Sequence, residues 1–283
     1  MKEIWQEGGA DWSNESIERE LKKVEKTGEL LANKFYANKL VLLGVVIAAL
    51  IVSVMFLKPY TALAVELVVL FVVSGYMKKT MKRAQAPLYH MCDPYLEFAY
   101  IRAYARKPLP RTKQAVTRQA LSLAQCMVMA GEPQAAIAIQ RAITEPERLK
   151  VAEKTIYYNT LLNCYGQFGW NEKRLALGAE LRRMRAQAGK LEGMQLDVIL
   201  RLEELKRKEE EGDIDFVLDY FVKNPAVFRF QEVAKRYALA MLYIRAGDAS
   251  SAREHVEYVL KYGNKLYYKK KLEDYLRSSL EEE

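Results

Sequence analysis

The chain has 283 residues, enough for one large domain or two modest ones. With 51% hydrophobic and 28% charged residues, and only 14 Gly and 8 Pro, wholesale disorder, collagen-like and low-complexity classes are excluded. Three cysteines, none in a C-x-x-C pair, cannot build a disulfide scaffold, and the formal net charge is +8.

In chain order, the first predicted element is an amphipathic helix from Ser13 to Phe35, within a cytoplasmic segment 1–38. Ser13 is placed to cap it, and Glu15 and Glu18 stand where the helix dipole favours acids. Ile17, Leu21, Val24, Leu31 and Phe35 fall on one side. Gly28 interrupts this stripe where an apolar residue is expected. The face is expected to pack against protein rather than on a bilayer surface.

Residues 39–79 read as a transmembrane helical hairpin. Leu40 to Leu57 are 18 residues without a charge, and Tyr60 to Met77 are another 18 interrupted only by Glu66. Each is long enough to cross the hydrocarbon layer. Only Lys58 and Pro59 separate them, so the second helix must return antiparallel to the first. Eight acidic residues precede the first stretch, which does not fit the basic start of a signal peptide. Nine basic residues flank the hairpin (Lys22, Lys23, Lys26, Lys34 and Lys39 before it, Lys78, Lys79, Lys82 and Arg83 after it), against Lys58 in the turn. The positive-inside rule then places both termini in the cytoplasm.

An acid within a span is a functional candidate by default, which singles out Glu66. Ser53 on the facing helix is expected at similar depth, as an intramembrane polar contact for protonated Glu66. Gly44 and Ala48 offer a small-xxx-small surface for packing against a second membrane protein.

Residues 80–110 are predicted to hold a linker and a cap helix, opened by Asp93-Pro94 and closed before Pro108 and Pro110. Within 111–263, four punctuation points recur: Gly131-Glu132-Pro133, Gly169-Trp170-Asn171, Gly212-Asp213-Ile214 and Gly247-Asp248-Ala249. Each separates a long helical pattern from a shorter one, and a left-handed Gly there ends one helix before the next begins. Counting back 11, 8, 7 and 4 positions gives Ala120, Leu123, Ala124 and Met127 before Gly131. It gives Tyr158, Leu161, Leu162 and Tyr165 before Gly169.

These offsets resemble the tetratricopeptide repeat, most closely from Ala234 to Gly263. The period is longer than that repeat's usual 34 residues, and Arg174 stands where a small residue is expected. The long third unit is read on the stripe Leu191, Met194, Val198, Leu202 and Leu205, its charged end Lys206 to Glu211 projecting beyond the stack. Residues 264–283 are expected to seal the last apolar face. The fold class is all-α: a two-helix transmembrane hairpin followed by a tetratricopeptide-like α-solenoid. Residues 88–283 are expected to fold without the spans.

Catalytic signatures are absent from the sequence: no phosphate loop, no nucleophile elbow and no H-E-x-x-H helix. His90 and Cys92 are too few for a metal site, and Cys126 and Cys164, both five residues before a glycine, read as equivalent packing positions. No enzyme activity and no cofactor or metal are expected. Residues 1–39 carry seven basic and eight acidic groups, so the positive excess belongs to residues 78–283. Beside a membrane it would favour anionic lipid head groups, and no nucleic-acid motif accompanies it.

The resemblance to peptide-binding repeat arrays implies a groove for a protein or peptide, with Asn159 and Asn163 the best candidates. Such amides pair with the backbone of an extended peptide. The expected function is a scaffold in a membrane. The alternative is an accessory subunit of a transport or secretion complex, assembled through the hairpin, with a homo-oligomer or membrane complex open. The Cys92-Asp93-Pro94 start after a two-span hairpin resembles uncharacterised bacterial membrane proteins, which points to the bacterial cytoplasmic membrane.

Overall fold

A computed structural model describes residues 14–56, 58–108, 112–143 and 145–281. Ser13, Leu57 and Pro110, each given a role above, lie outside these. The described residues form thirteen α-helices and no strand.

Helix α1 (Glu15–Phe56) merges the predicted amphipathic helix and the first apolar stretch into one unbroken element of 42 residues. At 1.5 Å per residue it is about 63 Å long, roughly twice the hydrocarbon thickness of a bilayer. Asn14 rather than Ser13 is the observed cap, its Oδ1 accepting from the Ile17 amide at 2.9 Å. Helix α2 (Pro59–Ala84) returns beside it. Both helices are long and apolar enough to cross a membrane, and almost none of their apolar length is buried within the protein. A hairpin of a soluble core would be covered instead.

The first half of α1 lies on α4 (Pro94–Ala105), which follows the short α3 (Ala86–Tyr89). The two run parallel: Ile17 and Leu21 share a core with Tyr95 and Phe98, and Ala32 shares one with Tyr100 and Ala103. The Phe35 ring meets that of Tyr104 at 5.2 Å. The α1 face thus packs against protein, and residues 88–283 alone would leave this side of α4 uncovered. Asp93 caps α4 as expected, accepting from the Leu96 amide at 3.0 Å.

Four helical pairs follow. They are α5 (Lys113–Ala130) with α6 (Pro133–Arg141), and α7 (Val151–Phe168) with α8 (Asn171–Gln187). Then come α9 (Lys190–Glu211) with α10 (Ile214–Lys223), and α11 (Arg229–Arg245) with α12 (Ala249–Tyr262). The glycine between the members of each pair, at 131, 169, 212 and 247, has φ between 70° and 81°. That left-handed turn is the one the sequence calls for. In the last two turns an aspartate caps the next helix at once: Asp213 accepts from Phe216 and Asp248 from Ser251.

Neighbouring pairs stay in register. Arg118 of α5 meets Glu153 of α7 at 2.8 Å, and Thr155 of α7 meets Gln195 of α9 at 3.2 Å. At the other end, Gln167 of α7 donates to the Val128 carbonyl of α5 at 2.9 Å. The glycine turns therefore share one end of the array. Tyr95 donates to Glu132 beside the first of them, so this is the end away from the hairpin.

Helix α13 (Tyr267–Glu281) packs on α11 and α12 and also on α5, the first helix of the first pair. The Asn264 amide donates to the Met91 carbonyl at 2.9 Å, and Lys265 pairs with Glu20 of α1 at 2.9 Å. The chain end thus returns to its beginning instead of only sealing the last pair.

Candidate partner-binding and intramembrane sites

Asn159 and Asn163 lie one turn apart on α7, as their spacing predicts. The Asn163 amide donates to the Asn159 carbonyl at 2.7 Å and meets its side-chain oxygen at 3.3 Å. On its other side, Asn163 Oδ1 accepts from Lys206 of α9. Asn163 is thus a bridge between two pairs, and both ends of its side chain are engaged. Asn159 is half-buried, with its Oδ1 turned toward Asn163.

Lys206 belongs to the charged end of α9, which does not project as expected. Glu210 is held by the Arg174 guanidinium of α8, and the Glu209 carbonyl accepts from Arg245 of α11 at 2.9 Å. Arg174, which stands where the repeat expects a small residue, reaches from a buried position to fasten this segment. Burial pushes the Lys206 ammonium below its ordinary value and pushes Glu209 up to about 7. Tyr237 and Tyr268, 5.3 Å apart between ring centres, fill the space nearby, so α13 occupies part of the interior an open groove would offer.

The first half of α9 also departs from the sequence reading. Leu191, Met194 and Val198 are 69%, 58% and 54% exposed, whereas Gly193, Leu196 and Ile199 face the core. Two apolar stripes run along this helix, and the neighbouring helices cover the other one. Arg185 closes over Gly193 and pairs with Asp197 at 2.7 Å.

In the hairpin, Ser53 is fully buried and its hydroxyl has no hydrogen-bond partner, so the expected Ser53–Glu66 bond is not made. Glu66 is half-buried on α2. Gly44 has open space on its Cβ side, which leaves the small-residue face uncovered.

The remaining chemistry-bearing residues are engaged in packing. Cys126 and Cys164 enter the same apolar core. Burial raises the Cys126 thiol and pushes Cys164 up to about 12 and Cys92 to about 11, which suppresses thiolate. His90 meets the Phe228 ring, and His255 stacks on Tyr243 beside Arg236. Burial, and then Arg236, lower the His255 imidazole. Among the described residues no three His, Cys, Asp or Glu side chains gather as metal ligands.

Glu97 is the residue that sequence reasoning missed. It faces the core from α4 with one carboxyl oxygen unpartnered, and burial pushes it up to about 8. The only sequence signal was an acid inside the otherwise apolar run Tyr95 to Ile101. The chain matches no family model, no curated protein and no solved structure.

Proposed function

We propose that this chain is a membrane-anchored scaffold that holds a protein or peptide partner on a cytoplasmic domain of tetratricopeptide-like helical pairs. The observation that carries the reading is the joining of two unlike surfaces by one helix. At one end of α1 is an apolar hairpin with nothing covering it, and at the other a packed array with left-handed glycine turns in register. The repeat reading is supported by burial of small residues at matching places: Ala124 and Ala240, seven before Gly131 and Gly247, and Ala136 and Ala252, five after them. In this reading both termini are cytoplasmic and the membrane is that of a bacterium. Asn159 marks the binding face, and Asn163 holds that face in shape through Lys206.

A specific observation favours the alternative, an accessory subunit of a membrane complex. The open Gly44 face and Glu66 lie on a hairpin whose helices leave most of their apolar surface uncovered. Co-purification from native membranes separates the two. The tagged full chain is compared with residues 1–87 and with a chain whose hairpin is replaced by a soluble linker. Capture by the linker form supports the scaffold, and capture by residues 1–87 alone supports the accessory subunit. Reporter fusions at both termini test the topology, and an external C-terminus would remove the domain from cytosolic partners.

A further inference from the structure

We propose that the hairpin-side edge of the helical array is a docking surface for the anionic head groups of the membrane that the hairpin spans. The inference rests on the membrane reading of the hairpin and adds a second, peripheral lipid contact to it.

The geometry starts from α1. Because α4 runs parallel to it, the C-terminal end of α4 points toward the apolar hairpin, and Lys107 just beyond it bonds Asn33. Asn33 lies six residues before Lys39, about 9 Å along the helix, which is within a screening length of the apolar boundary. From this level the edge extends sideways in register. Lys113 at the start of α5 meets Glu145 before α7, and Lys154 in the first turn of α7 meets Glu192 in the first turn of α9.

The two ends of the array differ in the sign of their excess charge, although Glu153 and Glu192 stand among the cations of the hairpin side and Lys173 and Lys208 among the acids of the other. On the hairpin side, the described residues of 106–113, 141–150 and 183–190 include nine Lys and Arg against Glu145 and Glu147. At the opposite end, the positions within three residues of the four glycines hold eight Asp and Glu against Arg245. Arg141, Lys150 and Lys190 are exposed, and Lys34, Lys39, Lys78, Lys79 and Arg83 extend the same sign onto the hairpin's own flank.

Beside Lys190, the first turns of α9 show solvent Leu191, 69% exposed at the edge itself, and then Met194 and Val198, about 4.5 and 10.5 Å further along the helix. Basic side chains around exposed apolar ones fit an anionic bilayer surface: head groups meet the cations, and the apolar groups enter the interface. An acidic protein segment would satisfy the cations but supplies no apolar layer lying alongside α1.

The test uses the full chain in lipid nanodiscs, with an environment-sensitive fluorophore on Leu191→Cys and a control label on Ser250→Cys at the opposite end. The native cysteines are buried and leave the introduced thiol accessible. Quenching by lipid-borne quenchers is compared between phosphatidylcholine discs and discs containing phosphatidylserine. Quenching at position 191 is expected to be at least about threefold stronger in the anionic discs and to weaken in high salt. It should be lost in Arg148→Glu, Lys150→Glu, Lys190→Glu combined, with helical content unchanged and position 250 silent throughout.

Equal quenching in both discs overturns the proposal, because the tether alone would then explain proximity. A charge-reversal effect on partner co-purification without any lipid dependence also overturns it, in favour of an acidic protein. Failure of the chain to enter either disc overturns the membrane reading itself.

Discussion

A Cβ added to Gly28 of α1 would lie 2.7 Å from the Ala99 Cβ of α4 and 2.8 Å from the Ala99 carbonyl carbon. The glycine that broke the apolar stripe in sequence is therefore a point of close backbone approach between the helix leading to the hairpin and the helical array. Backbone atoms are on the receiving side, so rotamer changes cannot relieve the contact. Gly28→Val is expected to cost about 2 to 3 kcal/mol by overpacking. Gly44→Ala, which meets open space, should be neutral or stabilising by up to about 1 kcal/mol. Thermal unfolding of the two variants in the same detergent checks the contrast.

Glu97 makes stability depend on pH. Its native value of about 8 lies above the ordinary 4.5, so the folded state binds the proton more tightly than the unfolded chain. Below the unfolded value both states are protonated and nothing is lost. As pH rises from 4.5 toward 8, only the unfolded state ionises freely and stability falls. Glu97→Gln should flatten this decline and be more stable than the parent by up to about 5 kcal/mol above pH 8. Denaturant midpoints across that range provide the measurement, and parallel curves for parent and variant would contradict the assignment.

Removing the hairpin should be tolerated only if α1 is kept. Phe35 and Ala84 pack in one cluster, so the chain leaves and re-enters the domain at neighbouring points. Replacing residues 36–83 by a linker of about six Gly and Ser residues should give a soluble, cooperatively unfolding protein. Residues 88–283 alone should expose Phe98 and Ala103 and bind a hydrophobic dye. Dye binding and urea titrations of the two proteins distinguish these outcomes.

Asn163→Ala should destabilise the domain by about 1 to 2 kcal/mol, because it removes the acceptor for the half-buried Lys206 ammonium. Asn159→Ala keeps its backbone carbonyl for Asn163 and should change stability by less than about 0.5 kcal/mol. If Asn159 contacts a partner, its substitution lowers capture while the unfolding midpoint stays in place. Equal stability losses for both variants would remove the bridging role of Asn163.

In the hairpin, Ser53→Ala deletes a buried hydroxyl that has no partner and should leave helix pairing intact or slightly stronger. Glu66→Gln preserves hydrogen-bonding capacity and should retain any membrane assembly, whereas Glu66→Leu should weaken it. Blue-native electrophoresis of solubilised membranes reads all three. Loss of function in Glu66→Gln with assembly unchanged would point to proton chemistry instead.

What could be read in the sequence followed the strength of local physics. The four glycine turns and the Asp93-Pro94 helix start are fixed by backbone sterics and capping within a few residues. The two apolar stretches are fixed by composition. The face of α9 was not legible, because its two apolar stripes differ only in which neighbours cover them, and the covered one contains Gly193 and Glu203. The role of Gly28 needed Ala99, which lies 71 positions away in the chain. Asn163 looked available because its donor, Lys206, comes from another pair 43 residues later.

The unbroken course of α1 makes it a shaft. Gly28 and Gly44 are sixteen residues apart, which is about 24 Å along the axis and nearly opposite in bearing at 3.6 residues per turn. No proline and no change of helix type lies between them to absorb twist. A rotation of α1 about its axis would carry Gly28 across Ala99, where no Cβ fits. The open face at Gly44 and the close contact at Gly28 thus belong to opposite sides of one continuous helix.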